Sequence, residues 1–268
     1  MRRRARALRL VTIGFAAGLV AACASGPSTN ISLIPANKVA QETAKEGVFV
    51  QPVQWKHKKP GCKGECPAIE LHSIVFPGIA KFSELIDHAL ATMTGVGSKG
   101  LPPYDTIAEY QDYFWKTAGP RDSATLSAKV RYRNKNLTVV EMNTYQYYTG
   151  AAHGISATQF LNWSNATKRV LGIADILEPG KHDAYVQALK EVHGRWLANN
   201  ADARHDPQTY NRIWPFQASD NFAFTDHGLA VKYDSYQIAP YYFGQPELLI
   251  PYSALAGILR SEFLPAAS

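Results

Sequence analysis

The side chains able to do chemistry are scattered along this chain rather than grouped. Eight histidines occur without a His-Glu-x-x-His or His-x-His spacing, so no pair presents two ligands on one helix face or one strand. No Gly-x-Ser-x-Gly elbow marks a serine nucleophile. His153 is the best single candidate, because it sits in the glycine-flanked segment Thr149-Gly150-Ala151-Ala152-His153-Gly154 between two long strand patterns. A general base or ligand there needs partners, and Asp175, Asp226 and His227 are the ones considered. Without them the imidazole simply hydrogen-bonds a tight loop. A non-catalytic binding module is the favoured reading. A glycan hydrolase or deacetylase using His153 is the alternative, and no cofactor or metal is implied.

Cysteine chemistry is more definite. Three residues separate Cys62 from Cys66 in Gly61-Cys62-Lys63-Gly64-Glu65-Cys66-Pro67, where the glycines and proline let the chain curl. Outside the cytoplasm such a pair is oxidised. A zinc site recruiting His57 and His72 is the rival, weakened by their unequal distances from the pair. Closing so short a loop makes a local staple, since stabilisation grows with loop length.

Cys23 ends a leader. Arg2, Arg3, Arg4, Arg6 and Arg9 precede the apolar stretch from Leu10 to Ala22. That stretch is shorter than the roughly 20 residues a spanning helix needs, and it suits a secretory signal. Val20-Ala21-Ala22-Cys23 resembles a lipobox, whose thiol is acylated, and Ala24 after it resembles an outer-membrane address. The expected layout is a signal peptide over 1–22, a tether over 23–46, an N-terminal module over 47–121 and a C-terminal module over 122–265. The folded part is expected to be lipid-anchored at the outer membrane, facing the periplasm or the cell surface. Removing residues 1–22, with five arginines and no acid, takes the net charge from +6 to +1. So neutral a mature chain gives no ground for nucleic-acid binding. The Lys56-His57-Lys58-Lys59 run reads as a solvated loop.

The elements that must position these residues follow from periodicity. Ile69 to Phe76 reads as a strand. Ile79, Phe82, Leu85, Ile86, Ala89, Leu90 and Met93 share a helix face. Thr106 with Glu109 forms a capping box for a second helix. Leu126, Ala128, Val130 and Tyr132 alternate with polar residues, and Leu137–Tyr148 and Ile155–Trp163 continue a meander through short turns. Tyr185 to Leu197 keeps a helical period, Asn199 to Asn211 reads as a loop, and Phe222 to Tyr233 as a hairpin. Leu248 to Ile250 is a last strand, and Tyr252 to Arg260 a final helix. The fold class is α+β: an antiparallel meander with helices packed on one side, in two contiguous modules.

One segment has the make-up of a contact surface. Ile238-Ala239-Pro240-Tyr241-Tyr242-Phe243-Gly244 joins two strands and is rich in stiff, large side chains. In an extended run, Pro240 and Tyr242 would share the outward face, with Ile238 and Tyr241 in the core and Phe243 adding contact area.

Four motifs in order carry a family resemblance: Tyr148-Thr149-Gly150-Ala151-Ala152-His153-Gly154, Phe222-Ala223-Phe224-Thr225-Asp226-His227-Gly228-Leu229, Tyr236-Gln237-Ile238-Ala239-Pro240-Tyr241 and Ile250-Pro251-Tyr252-Ser253-Ala254-Leu255. Together they resemble the RsiV-like family of extracytoplasmic domains, found in a lysozyme-sensing anti-sigma factor and in related lipoproteins. The N-terminal module also resembles that of the deacetylase PdaC. Ala151 stands where the family pattern has a second glycine, and Asp234-Ser235 where it has Asn-Pro. The resemblance implies lysozyme or peptidoglycan fragments as partners. It implies neither anti-sigma activity nor a deacetylase domain, since the parts that carry those functions are not matched.

Overall fold

The computed structural model describes residues 48–95 and 100–265. Cys23 and the expected signal peptide and tether lie outside the described residues. Within them, six strands form one sheet in chain order: β1 (Gln51–Lys58), β2 (Ala68–Val75), β3 (Ser123–Arg133), β4 (Leu137–Tyr147), β5 (Ile155–Ser164) and β6 (Arg169–Leu171). Neighbours are antiparallel except β2 and β3, which are parallel. A parallel pair needs a long crossover, and α1 (Ala80–Met93) and α2 (Ile107–Thr117) lie in that connection. The chain is therefore α+β with a mostly antiparallel sheet. The sheet runs across residues 121 and 122 through the β2–β3 pair, so the two expected modules share it.

One face of this sheet is apolar. Leu71, Leu126, Val140, Met142, Leu161 and Trp163 line it and pack under Phe82, Ile86 and Leu90 of α1 and Tyr110 and Phe114 of α2. Phe76, Phe82 and Trp163 stack in series with ring centroids 4.5 and 4.6 Å apart. Truncating a buried ring of this kind costs about 3–5 kcal/mol. The capping box holds: Thr106 Oγ1 accepts from Glu109 N–H, and the Glu109 carboxylate accepts from Thr106 N–H. The Cys62–Cys66 disulfide is formed and staples the turn between β1 and β2, next to the Lys59 N–H bond to Pro67 O.

The opposite face is covered only in part. A second sheet, β7 (Phe222–Phe224), β8 (Gly228–Lys232) and β9 (Glu247–Pro251), shares a core with Leu137, Val139 and Phe160 of the first. Helix α4 (His182–Ala198) joins it through Tyr185, Ala188, Leu189 and Val192. The opposite face of the large sheet is thus met by the smaller sheet, with α4 packed against β9. The free edge of β5 is closed by side chains: Asp234 Oδ1 accepts from Thr158 N–H at 2.7 Å and Asn221 Oδ1 from Phe160 N–H at 2.9 Å. Closing an edge in this way removes a template for stray strand pairing.

Three local expectations are corrected. Asn199 to Asn211 is not a loop but holds α5 (Ala201–His205) and α6 (Pro207–Ile213). Their N-caps, Asn200 and Asp206, accept from backbone N–H groups of the first turn, and Pro207 suits N1. Tyr252 to Arg260 is no α-helix. It has a single 3-10 turn, Tyr252–Leu255, because Gly257 takes a left-handed φ of 71°. Lys56, His57 and Lys58 belong to β1 rather than a loop, with Lys56 paired to Glu70 at 2.7 Å. A remaining short helix, α3 (Ile173–Ile176), links β6 to α4.

Candidate functional site

Two segments more than eighty residues apart meet at the top of β5. The loop after β4 delivers His153, and the loop after β8 delivers Tyr236 and Tyr241. The His153 ring stacks on Tyr241 with centroids 3.9 Å apart, and its Nε2 lies 2.8 Å from Tyr236 Oη. Its Nδ1 lies 3.0 Å from Gly154 O. A carbonyl oxygen only accepts, so in the neutral ring Nδ1 carries the proton and Nε2 accepts from the Tyr236 hydroxyl. Tyr236 in turn stacks on Trp214 at 6.0 Å and leans on Tyr241 at 5.6 Å.

The backbone that holds this wall is strained. Tyr236 has φ +72°, a left-handed conformation that is an outlier for a bulky residue. Such residues cost about 1–3 kcal/mol and persist where the surroundings over-determine them. Here Asp234 N–H donates to Gln237 Oε1 at 2.7 Å and Gln237 N–H to Asp234 O at 3.2 Å. Ser235 Oγ donates to Gly244 O, and Gln217 Nε2 to Gln237 O. Burial raises the Asp234 carboxyl pKa above its ordinary value, with the Thr158 N–H bond opposing. Gly154 is required on the other loop. A Cβ there would stand 2.3 Å from Tyr145 Cζ, so the Tyr145 ring occupies the space a side chain would need.

The 236–243 segment departs from the expected geometry. Tyr241–Phe243 is a 3-10 turn, not an extended run, so the alternating faces do not arise. Tyr242 points outward and is 69% exposed, as expected, and Ile238 is buried. Pro240 is half-buried rather than outward. Tyr241 is half-buried and forms part of the wall. Phe243 is half-buried between Tyr242 at 4.8 Å and Trp196 at 5.7 Å.

The proposed partners of His153 go elsewhere. Asp175 accepts from Arg169 and from Gly172 N–H, both at 2.8 Å, which holds its carboxyl below the ordinary range. Asp226 and His227 form the β7–β8 turn around Thr225, whose Oγ1 accepts from the N–H groups of His227 and Gly228. The two hydrogen-bond partners of His153 are a carbonyl and a phenol, so no His–carboxylate dyad forms. Tyr236, Trp214, Tyr145 and Trp196 were not singled out from sequence as site residues. Only Tyr236 carried a signal, as the first residue of a family motif.

Below the wall, on the same sheet face, lies a charged cluster of a different kind. Glu141 is 2% exposed and is reached by Lys232 at 2.5 Å, Arg131 at 3.1 Å and Lys129 at 3.3 Å. Burial alone would raise its carboxyl, but these cations outweigh burial and hold it at about 2. Arg131 also pairs with Glu247 of β9, tying the second sheet to the first.

Comparison with known proteins gives this geometry a context. The DUF3298 family, described as a protein of unknown function, matches residues 174–253, which include the Tyr236–Phe243 loop but not His153. The chain is 32% identical to a DUF3298 family protein from Pseudomonas aeruginosa, whose crystal structure superposes with a TM-score of 0.73 over 82% of this chain and 98% of that one. A member from Bacteroides fragilis, 22% identical, shares the fold at a TM-score of 0.62 over 81% of this chain and 95% of that one. Among curated proteins, the chain is similar to the peptidoglycan-N-acetylmuramic acid deacetylase PdaC of Bacillus subtilis, 27% identical over 150 residues. That similarity covers 55% of this chain and 31% of the enzyme, so the chain spans well under half of its length.

Proposed function

We propose, from the premise that the chain belongs to the DUF3298 family, that it is a non-catalytic binding module of the bacterial envelope. Its binding surface is the aromatic wall of His153, Tyr236, Tyr241 and Tyr242, and its ligand is lysozyme or a peptidoglycan-related fragment. The single observation that carries this is the junction of His153 with Tyr236 and Tyr241. Two distant loops, one of them strained, are held so that large rings stand in solvent with free faces, Tyr242 at 69% and Tyr236 at 49% exposure. Pre-organised aromatic surface of this kind binds at low ordering cost. The resemblance to RsiV-like domains and the similarity to part of PdaC support an envelope ligand.

The geometry favours binding over the hydrolase or deacetylase alternative. His153 Nε2, the atom a general base would use, is occupied by the Tyr236 hydroxyl, and neither of its partners is a carboxylate. The similarity to PdaC covers 31% of that enzyme and brings no activity of its own. The leader ending at Cys23 supports lipid anchoring, with the module facing the periplasm or the cell surface.

The experiment is a pull-down of lysozyme and of purified peptidoglycan by the tagged mature protein, with Tyr242→Ala as the control for the site. Capture of either, weakened by the variant, is expected. Capture of neither overturns the reading. Peptidoglycan turnover that disappears in His153→Ala would restore the enzymatic one.

A further inference from the structure

The sheet face that carries Glu141 and Phe160 is covered by the second layer only over its lower rows. Above them two cross-strand rows stay open. One runs through Gln54, His72, Ser127 and Asn143 and ends at β5 on the buried Thr158; the other runs through Lys56, Glu70, Thr125, Tyr145 and Ser156 and stays open into β5. Thr158 apart, all are exposed or half-buried. At the β1–β2 end the charges compensate one another, since Lys56 and His72 both reach Glu70, at 2.7 and 2.8 Å. From β3 to β5 the rows hold hydroxyls, one amide and one phenol ring, with no charge. They then run into the aromatic wall: Tyr145, 40% exposed, lies over Gly154, and the next residue is His153, bonded to Tyr236.

We infer that this strip and the wall form one continuous track for a neutral sugar chain lying across β3, β4 and β5. The inference rests on the binding-module reading and names its ligand: a glycan strand, not the protein surface of lysozyme. Sugar rings present C–H faces that pack on aromatic planes and edge hydroxyls that exchange hydrogen bonds with Thr125, Ser127 and Ser156. An anionic ligand would need unpaired cations, and here Lys56 and His72 are already engaged with Glu70. A protein partner would need a desolvated apolar centre, whereas the strip between the strand ends is polar throughout.

The probe is chitohexaose, the soluble hexamer of N-acetylglucosamine, titrated by calorimetry into the full mature protein, with lysozyme as a separate arm. Thr125→Arg and Ser127→Arg place bulk and charge on the strip without touching either aromatic loop. The wild type binds the hexamer, and each variant weakens that affinity at least tenfold while melting normally. A second reading needs no variant. Tyrosine nitration of the wild type, mapped by mass spectrometry, is suppressed at Tyr145 and Tyr236 by the hexamer and unchanged at Tyr113, which is 41% exposed on α2. Lysozyme binding without hexamer binding overturns the sugar track and leaves the module reading standing. Binding of neither ligand, nor of peptidoglycan, defeats both. Hexamer binding that ignores both strip variants and leaves Tyr145 unprotected confines the site to the wall and overturns the track.

Discussion

The Glu141 cluster centres on β4 and the His153 wall on the loop that follows it, and both join residues far apart in the chain. They differ in what is left over. Around Glu141 the carboxylate is almost wholly buried and its three cations converge on it. The cluster ties β3 and β4 to β8 of the second sheet. Around His153 the polar atoms are satisfied locally, by a carbonyl and a phenol, while the rings of Tyr236 and Tyr242 keep free faces in solvent. The strained backbone is also here, at Tyr236. A compensated buried cluster serves the fold. A pre-organised exposed one, maintained at a cost in strain, points to recognition.

If that contrast holds, Glu141→Ala should be the most damaging single change, since it leaves Lys232 and Arg131 without their shared partner. Removing one member of a buried ion pair costs about 3–5 kcal/mol, and the low end applies because both cations keep some solvent contact. Denaturant unfolding should show this loss, with ligand binding intact where the variant is folded. The cluster also sets an acid limit. A carboxyl lowered to about 2 stabilises fully above the ordinary carboxylate range, and that stability fades as pH falls from there toward 2. Acid titration of the variant should lack this component.

Reduction of Cys62–Cys66 comes next. It closes a very short loop, so the loss should sit near the low end of the roughly 2–4 kcal/mol usual for disulfides, visible in melts with and without reductant. Binding should not change, because the turn is at the far side of the sheet from β5. Tyr236→Gly inverts that pattern. Stability should move by no more than about 1 kcal/mol, since glycine takes the left-handed backbone without strain and this offsets lost ring contacts, whereas affinity should fall at least tenfold.

The smallest effect belongs to Asp234→Asn. Burial raises this carboxyl, so the fold loses stability as pH rises through the ordinary aspartate range, and the loss is complete above the folded pKa. The asparagine keeps the acceptor for Thr158 N–H without the charge. A small gain in stability at neutral pH is expected in denaturant unfolding, vanishing below the ordinary aspartate range, where Asp234 is protonated in both states.

Much of the scaffold was legible because its period was local. The alternation of β3, the short turns of the meander, the helix face from Phe82 to Met93 and the Thr106 box are each written within a dozen residues. The parallel β2–β3 pair was not, since a long crossover leaves no local mark. Helices α5 and α6 escaped because they are short and polar, and their caps, Asn200 and Asp206, read equally well as turn residues. The site was half legible. His153 and the 236–243 loop stood out separately, but their meeting is set by tertiary packing across 83 residues. The 3-10 turn at Tyr241 broke the period-two rule that had assigned outward faces. Tyr145 carries no local mark in the sequence, since its place depends on the bare backbone of Gly154 across the loop.

Calorimetric titration of lysozyme and of soluble peptidoglycan fragments into the mature protein, wild type against a Tyr236→Ala/Tyr242→Ala double variant with a matching thermal melt, tests the aromatic wall most directly. A measurable affinity for at least one ligand, reduced tenfold or more in the double variant, is the expected result. Equal affinities in the two folded proteins would contradict it.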